Sequence, residues 1–453
     1  MTPRAIAFAA LCLLAACGGS NDATPEPASA NLLLVILDDV GLDAVGCYGA
    51  PEDDVRTPVL DGLAASGARF ETVWANPWCS PTRATILSGL YGFRTGVGAV
   101  LDWDDDWPGL GTEFELLPQA ITADRGGRDV RSAMIGKWHL GTKSNGLDHP
   151  RDHGFERFRG TVGNLGRHDE TLAYFDYEEV ANGEAKRRQE YATTAVVDDA
   201  LEAIRSSGAD PWFVVVSFHA AHMPFHDPPA ELCAAERDRT QSTPRAQFLS
   251  MVEALDHELG RLLDGLAPED RARTHVVVVG DNGTPKPALP DGIPFEHGKG
   301  SLYEPGVRVP LIVTGPAVEA AGVERGQLVN TTDVFATCVE LMTGRATPDA
   351  TDSVSFVATL RDPDAAHRRA WLFAERYRPG DRTRSGTPID RVAARDGRFK
   401  RIENRVRGRT ELYDLTVDPG EERDLWPSRD TLPAEAREAF DALGRMVVTE
   451  LGR

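Results

Sequence analysis

Three short, nearly uninterrupted apolar runs, at 32–37, 212–218 and 276–279, constrain this chain more than any other feature, because polar groups follow each of them. Runs of this length without alternation read as strands buried on both faces, as in a parallel sheet. The first run stops at Asp38-Asp39, the second at His219 with His222 close behind, the third at Gly280-Asp281-Asn282-Gly283. Helical patterns lie between them, at 59–66, 192–205 and 246–263. Strands alternating with helices predict an α/β fold, a large mostly parallel sheet sandwiched by helices. Ligands of such sheets bind beyond the carboxyl ends of the strands, where all three runs place their polar residues. An Asp pair after a strand also makes ordinary turns, and a lone His is often structural. Three such ends together point to a site.

The chain carries 49 Lys and Arg against 70 Asp and Glu, a net charge of −21. That field repels phosphate backbones and argues against nucleic acid as a partner. An anionic substrate would need cations concentrated inside a pocket. No repeat of 20–50 residues is evident, which argues against solenoids and propellers.

The amino terminus reads as an address. Residues 1–16 hold one early cation, Arg4, then an apolar run too short to span a bilayer, as in a signal peptide. Leu14-Ala15-Ala16-Cys17 resembles a bacterial lipobox, with Cys17 lipidated and 17–30 a flexible tether. An ordinary secretory signal is the alternative. The expected location is outside the cytoplasm, periplasm-facing or on the cell-surface outer membrane, with membrane contact only through the lipid. Of six cysteines, Cys12 and Cys17 belong to this leader. Cys47, Cys79, Cys233 and Cys338 show neither zinc spacing nor a disulfide framework.

Cys79-Ser80-Pro81-Thr82-Arg83 precedes a helical stretch at 84–90. Ser80 suits an N-cap and Pro81 the first helical position. Cys79 at a helix amino terminus, one turn from Arg83, describes on its own a low-pKa reactive thiol. That reading needs a His base and an acyl substrate, and leaves the carboxylates without a role.

The segment Cys79-x-Pro81-x-Arg83, followed by Ala84-Thr85-Ile86-Leu87-Ser88-Gly89, resembles the formylglycine sulfatases of the alkaline-phosphatase-like superfamily. The resemblance extends over most of the chain from residue 31. It includes Asp38-Asp39, Gly136-Lys137-Trp138-His139-Leu140-Gly141 and Asp281-Asn282-Gly283. It continues through His297-Gly298-Lys299-Gly300, then Tyr303-Glu304-x-Gly306-x-Arg308-Val309-Pro310, and Leu412-Tyr413-Asp414-Leu415 with Asp418-Pro419 and Glu421. Pro305 stands where the family commonly has Gly.

The resemblance implies hydrolysis of an organic sulfate ester, aryl or carbohydrate, to alcohol and inorganic sulfate. Cys79 would be converted to formylglycine by a dedicated formylglycine-generating enzyme. One hydroxyl of its hydrated form attacks sulfur, and the other later expels sulfate. Asp38, Asp39, Asp281 and Asn282, with the converted Cys79, would hold a metal. An all-oxygen protein set suits calcium. Arg83 would hold the nucleophile, Lys137 and Lys299 the sulfate. His139 would be the base for collapse of the intermediate, and His222 with Lys299 would protonate the leaving oxygen. His219 and His226 are near rivals of His222. Zinc phosphatases and manganese phosphonate hydrolases of the superfamily place His where this chain has Asn282, which favours the sulfatase over those alternatives. A lipoprotein that binds sulfated glycans without turnover is the non-enzymatic alternative.

Other features read as structural. Asp102 and the run 104–106 suggest a solvated acidic loop, and Lys186-Arg187-Arg188 a surface turn. His149, the segment 152–155 and His168 resemble a family packing motif. Residues 31–344 are expected to form the catalytic domain. Residues 345–453 are expected to form a small α+β subdomain with a short antiparallel sheet and a terminal helix at 433–451.

Overall fold

The computed structural model describes residues 30–452 except 52–53, 105–106, 125–129, 166–172, 235–241, 348–351, 367 and 380–387. The leader and tether, with Cys12 and Cys17, and also Asp105, Asp106 and His168, lie outside the described residues.

Among the described residues, ten strands form one sheet and four form another. The middle of the large sheet is parallel and runs in the order Thr274–Gly280, Asn31–Leu37, Trp212–Ser217, Arg131–Lys137, Arg157–Thr161. All three apolar runs are therefore strands, and they are neighbours. Their register aligns Leu37 with Gly280 and Ile36 with Ser217. The polar residues that follow emerge together at one edge. Alternate side chains of Asn31–Leu37 enter two cores: Leu32, Leu34 and Ile36 meet Phe335 and Val339 on one face. Leu33, Val35 and Leu37 meet helices Ala192–Ser206 and Pro244–Asp264 on the other. Truncating one of these leucines to Ala would cost roughly 2–5 kcal/mol.

The flanks are mixed. Strand Leu311–Thr314 is antiparallel to both neighbours, Thr274–Gly280 and Ala68–Trp74. At the far edge, Glu184–Arg188 pairs with Tyr177–Ala181. Lys186-Arg187-Arg188 is therefore an edge strand, not a turn. Arg188 is drawn inward by Glu179 and Asp199.

The small sheet is antiparallel: Leu372–Arg378, Ile389–Arg395, Phe399–Asn404, Arg409–Asp414. One face (Phe373, Phe399, Leu412) carries the terminal helix through Phe440 and Leu443. That helix spans Ala434–Arg445 and closes in one wider turn, Met446–Glu450. The other face (Leu372, Ala374, Ile402) packs on Trp74, Leu302 and Val307 of the large unit. Phe356, Val357 and Leu360 still belong to the large core. No described helix is long and apolar enough to cross a membrane.

Candidate active site

The helix carrying Cys79 begins at Cys79 itself and runs to Ser88, with Trp78 as N-cap and Gly89 left-handed after its end. The expected cap, Ser80, lies inside the first turn. Its hydroxyl instead accepts a hydrogen bond from the Leu101 amide at 3.1 Å. No side chain caps this helix; Thr82 instead ties down the approach to it, its Oγ1 accepting from the Asn76 amide and donating to the Asn76 carbonyl. Every residue of this helix is buried, Arg83 included.

Arg83 is held from three sides. Its Nε and Nη2 donate to Asp281 Oδ2 at 3.1 and 2.9 Å. Its Nη1 donates to the Lys137 carbonyl at 2.9 Å and to the Ser217 hydroxyl. Lys137 ends its strand and reaches Asp38 Oδ2 at 2.5 Å. Gly136, at φ +99°, permits this crossing: a Cβ there would fall 2.0 Å from the Ser217 carbonyl oxygen. Lys299 donates to Asp39 Oδ1 and stands 3.9 Å from Cys79 Sγ. Asn282 Nδ2 donates to Asp39 Oδ1 at 2.7 Å, and the Asp39 amide to Asp281 Oδ1 at 3.1 Å. Asp39 and His139 both occupy the left-handed region, at φ +66° and +58°. Non-glycine residues there carry strain, which clusters at functional sites.

The structure thus brings Asp38, Asp39, Cys79, Arg83, Lys137, Lys299, Asp281 and Asn282 into one buried cluster. Ligand atoms of Asp38, Cys79 and Asp281 lie within 4.8 Å of one another. His222 joins at the rim, its Nε2 4.0 Å from Asp39 Oδ2. His222 Nδ1 lies 2.7 Å from the Met223 carbonyl, which only accepts, so Nδ1 carries the proton and Nε2 faces the cluster. His139 is buried with Nδ1 unpartnered. The rivals of His222 are otherwise engaged. His219 Nε2 is 2.9 Å from Thr161 Oγ1, and His226 sits in an aromatic nest with Tyr174, Phe175 and Tyr191.

Three carboxylates (Asp38, Asp39, Asp281) face three fixed cations (Arg83, Lys137, Lys299). Burial raises Asp39, but the neighbouring Lys299 charge outweighs it and holds it below the usual carboxylate range. Burial, helped by the Asp38 charge, raises Asp281. Burial and the neighbouring Lys137 push the rings of His139 and His222 well below the usual histidine range, so both are neutral near pH 7. Burial also pushes the Cys79 thiol up, despite Lys137 and Lys299. The helix-terminus expectation of a low-pKa thiol is therefore wrong, because desolvation outweighs the dipole and the cations.

The donor set suits a hard divalent cation. Asp38, Asp39, Asp281 and Asn282 offer only oxygen, and Asp38 Oδ1 and Asn282 Oδ1 are buried without a hydrogen-bond partner. A metal between them would supply the missing partner.

Two residues of the surroundings escape the sequence. Ser217 bridges Arg83 and Lys137, its hydroxyl donating to the Lys137 carbonyl at 2.7 Å. Its place at the end of a buried strand was the available signal. Tyr174 donates to the carbonyls of His219 and His222, at 2.5 and 2.7 Å, and fixes the loop that carries both. Nothing local marks Tyr174 for that role.

A family model described as sulfatase matches residues 30–344. One described as the C-terminal part of N-sulphoglucosamine sulphohydrolase matches residues 296–438. N-acetylgalactosamine-6-sulfatase of Sus scrofa is 30% identical over 359 residues, covering 73% of this chain and 65% of its own length. The chain thus spans just under two thirds of that relative. Steryl-sulfatase of Mus musculus is 27% identical over 93% of this chain and 82% of its own length. Among solved structures, a protein in complex with its substrate D-glucosamine-2-N,6-O-disulfate superposes with a TM-score of 0.75 at 19% identity, covering 93% of this chain and 98% of that one. Ps i-CgsB in complex with k-i-k-neocarrahexaose gives 0.74 at 23% identity, with 89% and 90% covered. At such identities the solved structures establish the fold alone.

Proposed function

The chain belongs to the sulfatase family, and on that premise we propose that it hydrolyses an organic sulfate ester, of an aryl alcohol or a carbohydrate, to the alcohol and inorganic sulfate. One observation carries the reading. Cys79, a poor nucleophile as a buried thiol, sits at the meeting point of three carboxylates and three cations. Such a place has a purpose if the residue is converted to formylglycine, whose hydrated aldehyde supplies the attacking oxygen.

We assign the metal as calcium, held by Asp38, Asp39, Asp281 and Asn282; when bound it supplies positive charge that activates the nucleophile and polarises the sulfate. The remaining roles belong to the chain. Lys137 and Lys299 receive the non-bridging sulfate oxygens, cations that an acidic protein must concentrate locally. Arg83, locked by Asp281 and Ser217, holds the side chain of residue 79 in line. Neutral His139 accepts a proton during release of sulfate. Lys299 delivers a proton to the departing oxygen, joined by His222 once the bound sulfate anion has let its Nε2, which faces the cluster, take up a proton. We further propose that the protein is exported and anchored through a lipid on Cys17.

Mass spectrometry of the peptide containing Cys79, from protein made in its own host, tests the reading. The expected peptide has lost sulfur and two hydrogens and gained one oxygen. An intact, alkylatable thiol in matured protein, with no sulfate released from any ester, refutes it.

A further inference from the structure

The face of the small sheet that packs on the large unit ends in arginines. Arg376 continues the face of Leu372 and Ala374, and Arg391 stands directly opposite it on the neighbouring strand. Like charges opposite each other in a ladder are destabilising. Elsewhere this sheet and its turns answer several such cations with carboxylates: Arg395 with Glu304, Arg398 with Asp414, Arg401 with Glu403, Arg409 with Glu411. Among the described residues, neither Arg376 nor Arg391 has a carboxylate within ion-pair distance. Arg376 Nε is buried with no hydrogen-bond partner. Burial and the Arg391 charge push Arg376 down to about 10, the sign of a cation lacking its anion.

Arg376 also reaches the chain neighbours of two cluster residues. Its Nη1 donates to the Gly300 carbonyl at 2.7 Å, next to Lys299. Its guanidinium lies 5.2 Å from the centre of the Trp78 ring, next to Cys79, and Lys299 Nζ lies 5.6 Å from the same ring. Trp78 thus joins the cation assigned to sulfate and the unanswered pair. In a chain of net charge −21, two facing arginines beside an anion pocket call for an external anion.

We propose that Arg376 and Arg391 form a second anion subsite, which receives a carboxylate or second sulfate carried by the sugar bearing the scissile sulfate or by its neighbour. The inference rests on the sulfatase reading only for the place of the scissile sulfate. Its substrate class is a multiply anionic sulfated saccharide. Arg376 supplies a fixed guanidinium held by Trp78 and Gly300, and Arg391 supplies the charge that the held one cannot neutralise alone.

Calorimetric binding to Cys79→Ala protein tests the subsite without turnover. Three probes suffice: N-acetylhexosamine 6-sulfate as control, the corresponding N,6-O-disulfate, and a monosulfated hexosamine–uronate disaccharide. At least one dianionic probe is expected to bind ten-fold or more tightly than the control, and which one identifies the second anion as sulfate or carboxylate. Arg391→Gln should bring that probe to the control's affinity and leave the control within two-fold. If the variant does not fold, salt serves instead: the preference should collapse as sodium chloride is raised to 0.5 M. Equal affinity for all three probes in the Arg391 protein overturns the subsite, as does an Arg391→Gln loss equal for all three. Sulfate release by matured protein is read separately. A preference lost on Arg391→Gln with no release from any ester keeps the subsite and removes the hydrolase.

Discussion

Two clusters of buried charge lie five residues apart along the chain, at Lys299 and Glu304, and they are built on opposite terms. In the junction cluster, Lys400 is fully buried between Glu304 and Glu421, at 3.1 and 2.7 Å, while Arg395 takes the other Glu304 oxygen at 3.1 Å. Trp74 Nε1 also donates to Glu304, and Glu421 accepts the Glu304 amide. Each carboxylate there has its cation. In the catalytic cluster, Asp38 Oδ1, Asn282 Oδ1 and His139 Nδ1 are left without partners. Buried polar atoms left unpaired are costly, so their persistence marks places where something else binds or reacts. The junction is closed by ion pairs within the chain, whereas the catalytic cluster leaves potential metal-ligand oxygens unpaired.

The largest effect should come from the deficient cluster. Cys79→Ala is expected to lower sulfate release by roughly 10⁴-fold or more while leaving the thermal midpoint almost unmoved. A variant that keeps a tenth of the activity would remove Cys79 from the chemistry. The saturated cluster should answer in reverse. Glu304→Ala strands Arg395 in the interior, leaves Lys400 with Glu421 alone, and should cost about 3–5 kcal/mol of stability by urea denaturation. A cost under 1 kcal/mol would show that the cluster is solvated.

Next comes the metal. Calcium at a hundred times its dissociation constant should stabilise the protein by about 2.7 kcal/mol, and Asp38→Asn should abolish this increment. An equal calcium shift in both proteins would place the ion elsewhere. The smallest effect asks whether burial alone can perturb a group outside both clusters. The His149 ring, pushed down to about 4 by burial and by His153, binds its proton less readily folded than unfolded. Its contribution is complete above the unfolded pKa of 6.5 and is lost as pH falls toward 4. About 1 kcal/mol should disappear between pH 6.5 and 5.5, and His149→Gln should flatten the stability profile by that amount. Parallel profiles would mean that the ring stays solvated.

What the sequence reveals follows from range. Buried parallel strands advertise themselves, so the runs ending at Asp38, His219 and Asp281 were legible, as were the polar groups beyond them. Helices Pro58–Ser66, Ala192–Ser206 and Pro244–Asp264 followed from their apolar spacing. The start of the Cys79 helix was misplaced because Ser80, a good cap by type, is claimed by Leu101, twenty-one residues away. The strands of the small sheet are polar and alternate in charge, as in Phe399–Asn404, and acquire meaning only from partners across the ladder. Tyr174, Ser217 and the Glu304–Lys400–Glu421 cluster depend on contacts between residues far apart in the chain, which no local pattern carries.

Glu421 holds the backbone amide of Glu304 from 117 residues downstream, and that amide lies one helical turn beyond the loop of Lys299. The consequence is one of modularity. A gene cut at the change of sheet would yield a front piece that encodes Asp38, Cys79, Arg83, Lys137, Asp281 and Lys299 yet lacks the brace for its last segment. During synthesis the same residues leave the ribosome long before that brace does. The back sheet is thus the keystone of the front one, placed last and bearing on the whole arch.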